Sequence, residues 1–213
     1  GWVGVTKIDD GDALLAAYEQ SGKKVMHLQK GIWPYEHFVR CIGIGPQTRV
    51  IAYDPDAPLH SRYTATFDHL PPKDMEELRS TTLLINAFFG WDFNSCECLG
   101  KDGTWYPIDF ANPCPDSQVT SLNRHFPWLV LAKIRWALFC AATRRKFKKT
   151  LDWEPFYAIA ERGGTPAQKL AAYGALARKR FDAAAFEAFS AEHFGALEEI
   201  AWEVRAGERW ALL

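Results

Sequence analysis

Apolar positions along this chain form short alternating runs in its first two-thirds and recur at helical spacing in its last third. Short runs of strand-forming residues bounded by glycine, proline or acids predict strands, and apolar residues three and four positions apart predict helices. The predicted strands cover residues 3–8, 25–33, 36–45, 49–55 and both arms of a hairpin within 96–116. The predicted helices cover residues 12–21, 73–89, 128–143, 165–180 and 181–204.

Strands mixed with helices, followed by helices alone, predict an α+β fold. Residues 1–126 would carry the sheet, and residues 127–213 would form a helical extension. The chain opens with GWVGV, which already resembles the interior of a longer sequence. We therefore expect an N-terminal part of the same protein to precede it.

Composition narrows the possible partners. The formal net charge of −1 gives no long-range field that would attract nucleic acid or an anionic membrane. The most apolar run, 127–143, is interrupted by Lys133 and Arg135 and is too short to span a bilayer. The five cysteines lack zinc-site spacing, which favours buried thiols in a reducing compartment. We expect a cytoplasmic protein that binds neither nucleic acid nor membrane, and the sequence carries no indication of its oligomeric state.

The hairpin CECLGKDGTWYPIDFANPCPD, residues 96–116, places acids and an amide where its strands end. If a three-residue turn leaves Gly100 opposite Thr104, Glu97 faces Pro107 and Asp109 faces Ser95. Both carboxylates then share a face, roughly 7 Å apart on the diagonal. A four-residue turn would instead pair Asp109 with Asn94. Mg²⁺ prefers such oxygen ligands, so Glu97, Asp109 and Asn112 predict a metal site, with solvated turn acids as the ordinary alternative.

An acid on one strand, a turn, and an apolar strand ending in acid, Asn and Pro together resemble the metal-binding hairpin of the ATP-grasp superfamily. The glutamate-ligase and D-alanine–D-alanine ligase branches are the most similar in form. VMHLQKGI resembles the strand and hinge that hold adenine, EHFVRCIGIG the next strand, HSRY a phosphate-facing loop, and GWVGV the end of the glycine-rich loop. The resemblance covers about residues 1–125.

The resemblance implies an ATP-grasp fold, two Mg²⁺ ions and an amide-forming ligase. ATP would convert a small-molecule or peptide carboxylate into an acylphosphate, which an amine would attack. The implied site residues fall into three groups. They are Gly1, Gly4, Gln29, Lys30 and Ile32 for the nucleotide, Arg40 and Arg62 for the transferred phosphoryl group, and Glu97, Asp109 and Asn112 for the metal.

This chain departs from the family pattern at the second strand of the hairpin. Asp109 stands where glutamate is usual, and Asp109-Phe-Ala-Asn112 has one residue more than the usual acid-x-Asn. A β-bulge before Pro113 is therefore needed to bring Asn112 to the same face as Asp109. Asp92 and Asn94, which precede Glu97, are candidates for holding a metal ligand in position.

Other interpretations remain open at this point. Arg40 could pair with Glu36 instead of a phosphate. The chain could be a nucleotide-binding module that kept the fold without ligase activity, which the departures from the family pattern motivate. Phosphoryl transfer to an acceptor other than a carboxylate would use the same metals.

Overall fold

The computed structural model describes residues 5–66, 69–146, 151–197 and 199. The fold is α+β, as predicted, and contains a four-stranded antiparallel sheet in the order β2-β1-β3-β4. The strands are β1 (His37–Ile44), β2 (Gln47–Ala52), β3 (Phe93–Lys101) and β4 (Thr104–Pro113). Strand β1 lies within the predicted run 36–45, whereas β2 begins before the predicted run 49–55 and β3 begins before the predicted hairpin 96–116. The presence and approximate position of these strands are therefore confirmed.

The helices also follow the apolar spacing closely. They are α1 (Gly11–Ser21), α2 (Pro72–Phe89), α3 (Val119–Leu122), α4 (Phe126–Ala142), α5 (Glu154–Glu161), α6 (Pro166–Arg180) and α7 (Ala183–His193). The short helices α3 and α5 were not predicted. Within the predicted helix 181–204, α7 ends at His193, shortly before Gly195, and residues 198 and 200–204 lie outside the described residues. No helix in the described part of the chain is long and apolar enough to cross a membrane.

The sheet buries both of its faces. One face carries Val39, Cys41 and Cys98 in a cluster with Leu78 of α2. The opposite face carries Ile42, Ile44 and Ile51, which share a larger cluster with Leu129 and Trp136 of α4 and with residues of α6 and α7. Because successive strand residues point to opposite faces, β1 is apolar on both sides, and Arg40 is the charged residue within it.

The chain divides into two compact units, Gly1–Tyr35 and Glu36–Leu213. In the first unit, Asp10 caps α1 by accepting a hydrogen bond from the amide of Ala13 at 2.8 Å. The predicted strand over 25–33 is wrong, since this segment has no regular secondary structure. It has no strand partner among the described residues, and Val25 is 98% exposed, so strand propensity has no ladder to join. Residues 5–8 of the other predicted strand are likewise not a strand.

The division predicted after residue 126 stays a prediction. The core of the second unit combines strand residues from before that position with helix residues from after it, including Ile42 and Trp136.

The hairpin turn between β3 and β4 has two residues, not the predicted three. Lys101 pairs with Thr104, and Asp102 and Gly103 both adopt positive φ, at 50° and 68°. This is the type I′ conformation that Asp-Gly favours, because its twist matches that of the flanking strands. The register next to the turn therefore moves by one residue, and two further register shifts beyond Cys98 add to this change, so the strand pairs predicted from a three-residue turn are wrong.

Candidate functional site

Three charged residues form a row across the sheet. Arg40 of β1 lies opposite Glu97 of β3, and Glu97 lies opposite Asp109 of β4. Directly opposed residues of antiparallel strands project from the same face. Glu97 and Asp109 therefore share a face, but as direct partners and not on the diagonal. The register shifts between Glu97 and Cys98, so β4 carries an extra residue between Pro107 and Asp109.

The bulge that the spacing of Asn112 requires is present. Two steps along β3, from Glu97 to Ser95, match three steps along β4, from Asp109 to Asn112. Asn112 consequently lies opposite Ser95, and its Nδ2 donates a hydrogen bond to Ser95 Oγ at 3.1 Å. This contact leaves the amide oxygen of Asn112 available to a ligand on the face that carries Glu97.

Asn94 holds the bulged part of β4 in place. Its side chain is fully buried, with Oδ1 accepting from the amide of Asn112 at 2.9 Å. Its Nδ2 donates to the carbonyl of Phe110 at 3.0 Å and to Oδ1 of Asn86 at 2.9 Å. A bulge interrupts the regular ladder, and Asn94 hydrogen-bonds two backbone groups of the bulged segment. Asn94 thus fixes the position of the backbone that carries Asn112.

Arg40 is enclosed by groups from three strand and loop segments. One guanidinium nitrogen forms an ion pair with Glu97 Oε1, and the other donates to the hydroxyl of Tyr63 at 3.2 Å. The guanidinium carbon lies 5.0 Å from the ring centroid of Tyr53 and 5.9 Å from that of Tyr63. The side chains of Arg40 and Glu97 are only 14% and 12% exposed. The acid that pairs with Arg40 is therefore Glu97 and not Glu36.

The pKa of Tyr63 depends on the burial and the charges of this cluster. Burial raises the pKa of its phenol, and the positive charge and hydrogen bond of Arg40 oppose that rise. The carboxylate of Asp116 adds a smaller upward contribution to the same pKa. Asp116 and Tyr63 therefore belong to the same electrostatic environment as the Arg40–Glu97 pair.

The remaining predicted residues lie elsewhere or outside the described chain. Arg62 is on the loop after β2, where its Nε donates to the carbonyl of Ala57 at 2.9 Å. Gln29, Lys30 and Ile32 belong to the unit Gly1–Tyr35, in a segment without helix or strand. Two predicted residues, Gly1 and Gly4, lie outside the described residues. The second unit thus unites Arg40, Glu97, Asp109 and Asn112.

Sequence reasoning missed several residues around the row. Tyr53 and Tyr63 form a β-bridge with each other and enclose Arg40. Lys133 of α4 donates to Ser117 Oγ at 2.9 Å and lies 4.3 Å from the ring centroid of Phe93 on β3. The signal for Lys133 was its interruption of the most apolar run in the chain. The tyrosines gave no comparable signal.

The oxygen donors of this face suit Mg²⁺. The carboxylate of Asp109 is exposed and has no hydrogen-bond or ion-pair partner within the described residues. Glu97 keeps Oε2 beside the oxygen paired with Arg40. Mg²⁺ commonly takes one or two carboxylates and completes its shell with water and phosphate oxygens. Among the described residues, no three or more His, Cys, Asp or Glu side chains form a group that could hold a metal ion.

The chain matches no protein-family model, no curated protein and no solved structure. The functional argument below uses the geometry of the row and the resemblance of the sequence motifs.

Proposed function

We propose that this chain carries the metal- and phosphate-facing sheet of a cytoplasmic, Mg²⁺-dependent ligase of ATP-grasp type. The enzyme would use ATP to activate a carboxylate as an acylphosphate and join it to an amine. The observation that carries the proposal is the common face of Glu97, Asp109 and Asn112 beside Arg40. That arrangement combines oxygen donors for a cation with a positive charge for a phosphate.

In this proposal, Glu97 Oε2, Asp109 and the amide oxygen of Asn112 hold Mg²⁺. The bound ion would neutralise charge on the phosphates of ATP, which is the main requirement of phosphoryl transfer. Two of the three donors have positioning contacts: Arg40 pairs with Glu97, and Ser95 and Asn94 hydrogen-bond the side chain and backbone of Asn112. Prepositioned ligands lose little order when they bind a cation.

Arg40 has two roles in the proposed site. It stabilises the charge of Glu97, and it places a fixed positive charge on the face where the phosphates would lie. Tyr53 and Tyr63 limit its movement through ring contacts and a hydrogen bond. A fixed charge of this kind stabilises developing negative charge without reorganisation during the reaction. Arg62 would supply a second positive charge from its loop.

The test is calorimetric titration of ATP into the 213-residue chain, with and without Mg²⁺. Asp109→Asn should remove most of the Mg²⁺-dependent part of ATP binding, because Asp109 is exposed and its loss leaves the fold intact. Asp102→Asn is the matched control, since it removes an exposed acid from the turn of the same hairpin. Unchanged ATP binding and turnover in both Asp109→Asn and Glu97→Gln would refute the site assignment.

A nucleotide-binding module without ligase activity is the second candidate. The engagement of Arg40 by Glu97 and Tyr63 favours it, because a guanidinium held by protein groups has fewer donors for a transferred phosphoryl group. ATP binding without ADP production, across a panel of carboxylates and amines, would support the module. ADP production that requires one carboxylate and one amine would support the ligase.

A further inference from the structure

A second region of the same unit has the features of a ligand site. A cavity of about 650 Å³ lies where α2, α4 and α6 end and α7 begins. Its wall combines the rings of Phe139, Phe156 and Phe181 with the charged side chains of Arg145 and Arg180. Its volume falls within the range of small-molecule pockets. None of the residues that line it belongs to the Arg40–Glu97–Asp109 row.

Arg145 is a fixed part of the cavity wall. It forms an ion pair with Asp182 and donates from a second nitrogen to the carbonyl of Arg180 at 2.6 Å. Its guanidinium also lies 5.1 Å from the ring centroid of Trp136. These contacts tie α4 to the junction of α6 and α7, so the charge of Arg145 is largely neutralised by the protein itself.

Arg180 differs from Arg145 in the partners of its guanidinium. Within the described residues, that guanidinium has no hydrogen bond and no carboxylate at ion-pair distance. Partial burial lowers its pKa, as does the positive charge of Arg145, while Asp152 and Asp92 raise it. An arginine has five N–H donors, so this guanidinium can donate to a bound ligand.

The position of Arg180 in the last turn of α6 does not explain why its side chain lines the cavity. Basic residues are favoured in the last turn of a helix, and Arg178, Lys179 and Arg180 all occupy that turn of α6. Arg178 uses the same turn to pair with Glu187 at the exposed surface. Arg180 instead lines the cavity, close to Gly90 at the end of α2.

We propose that this cavity binds a small molecule through an oxyanion, either carboxylate or phosphate, that pairs with Arg180. The planar fork of the guanidinium matches two oxygens of either group. The rings of Phe156 and Phe181 would contact an apolar part of the same ligand. Asp92, Asp152 and Asp182 line the cavity together with Lys146 and Lys179, so the wall carries charges of both signs around Arg180.

The experiment titrates the full chain with inorganic phosphate and, separately, with benzoate, following backbone amides by NMR. We expect saturable shifts of the Gly90 and Ala185 amides with at least one probe, and the probe that saturates at lower concentration identifies the oxyanion. Arg180→Gln should weaken that binding by about tenfold or more, since a charge-assisted pair is lost. Arg178→Gln, on the same helix turn, should leave it unchanged.

Three results would overturn the proposal. They are the absence of saturable shifts at the cavity amides with both probes, binding by Arg180→Gln as tight as that of the original chain, and equal weakening of binding by Arg178→Gln. Thermal unfolding of each variant verifies that it is folded. If Arg180→Gln does not fold, Arg180→Lys provides the same comparison, because it keeps the charge and removes the two-pronged geometry, and should weaken binding by about threefold to tenfold.

Discussion

Arg40 and Glu97 face each other across β1 and β3 as an ion pair whose side chains are almost enclosed by protein. The pair lies within the row that ends at Asp109 on the edge strand. Because Arg40 neutralises Glu97, the exposed negative charge of the row is concentrated on Asp109. Metal binding on this face therefore depends on Asp109, whose substitution should destabilise the fold little. The structure of the face depends on the Arg40–Glu97 pair, whose disruption should destabilise the fold more.

The first prediction concerns the stability of that pair. Glu97→Gln should lower the free energy of unfolding by about 2–4 kcal/mol, because a largely buried guanidinium is left without its counter-charge. The measurement is urea unfolding at neutral pH. Replacing both partners, as Arg40→Met with Glu97→Leu, should recover part of the loss, since no unpaired charge remains.

The control for this prediction is an exposed ion pair in the same chain. Arg178 and Glu187 pair with side chains that are 50% and 58% exposed. Glu187→Gln should change the free energy of unfolding by no more than about 0.5 kcal/mol, as solvent screens such pairs. Equal effects of Glu97→Gln and Glu187→Gln on the free energy of unfolding would contradict the burial of the Arg40–Glu97 pair.

The second prediction concerns Asn94 and the bulge. Asn94→Leu should destabilise the protein by about 2–4 kcal/mol, because the amide of Asn112 and the carbonyl of Phe110 lose their partner. Hydrogen exchange measures the local effect. The Asn112 amide should lose more protection than the Cys41 amide in the centre of the sheet. Equal losses at both amides would mean that Asn94 stabilises the fold without holding the bulge.

These contacts show how far sequence reasoning reaches. The strands containing Arg40 and Glu97 follow from their apolar patterns, and the extra residue between Asp109 and Asn112 predicts a bulge. The pairing of Arg40 with Glu97 does not follow, because β1 and β3 are distant in sequence and local pattern carries no information on which strands become neighbours. Glu36, the alternative partner of Arg40 in the sequence, is close to it along the chain, whereas the fold provides Glu97 from a distant strand.

The segment 25–33 is a predicted strand that does not form. Its composition suits a strand, but no described strand lies beside it to complete the hydrogen bonds that a strand requires. The helices were easier to predict because their hydrogen bonds are internal. Helix α6, for example, begins at Pro166 after Thr165 and Gln168 form a reciprocal capping box.

The third prediction tests the corrected turn. Gly103→Ala should destabilise the protein by about 1 kcal/mol, because an L-residue is strained at a φ of 68° even though nothing lies within 4 Å of the added Cβ. Gly163→Ala is the matched control, as that position is equally open and has no positive φ. Its substitution should be neutral or stabilising by a few tenths of a kcal/mol. A neutral Gly103→Ala would contradict the two-residue turn.

The fourth prediction concerns acid sensitivity and His125. This residue is 2% exposed, its Nδ1 accepts from Arg49 Nε at 3.2 Å, and its Nε2–H donates to the carbonyl of Thr64 at 2.6 Å. These contacts require the neutral ring. Burial lowers the pKa of His125 below its ordinary value of 6.5, and the nearby charges of Arg49 and His69 lower it further, against a rise from the Thr64 carbonyl.

The sign of the pH dependence follows from that shift. Above pH 6.5, His125 is neutral in both states, so its contribution to stability is complete. Below that pH, His125 is protonated in the unfolded chain but stays neutral in the folded chain. The free energy of unfolding therefore falls by up to about 1.4 kcal/mol per pH unit. Asp92 acts in the opposite direction at lower pH, since burial raises its pKa from 3.8. Urea unfolding should therefore be measured between about pH 5.5 and pH 7.5.

His125→Gln should flatten this pH dependence, because the substituted side chain cannot take up a proton in the unfolded chain. His60→Gln is the control, as His60 is exposed on the 3₁₀ turn Leu59–Ser61. It should leave the slope between pH 5.5 and pH 7.5 within about 0.3 kcal/mol per pH unit of the original. If the original protein and His125→Gln lose stability in parallel as the pH falls, His125 is not the group that makes the fold sensitive to acid.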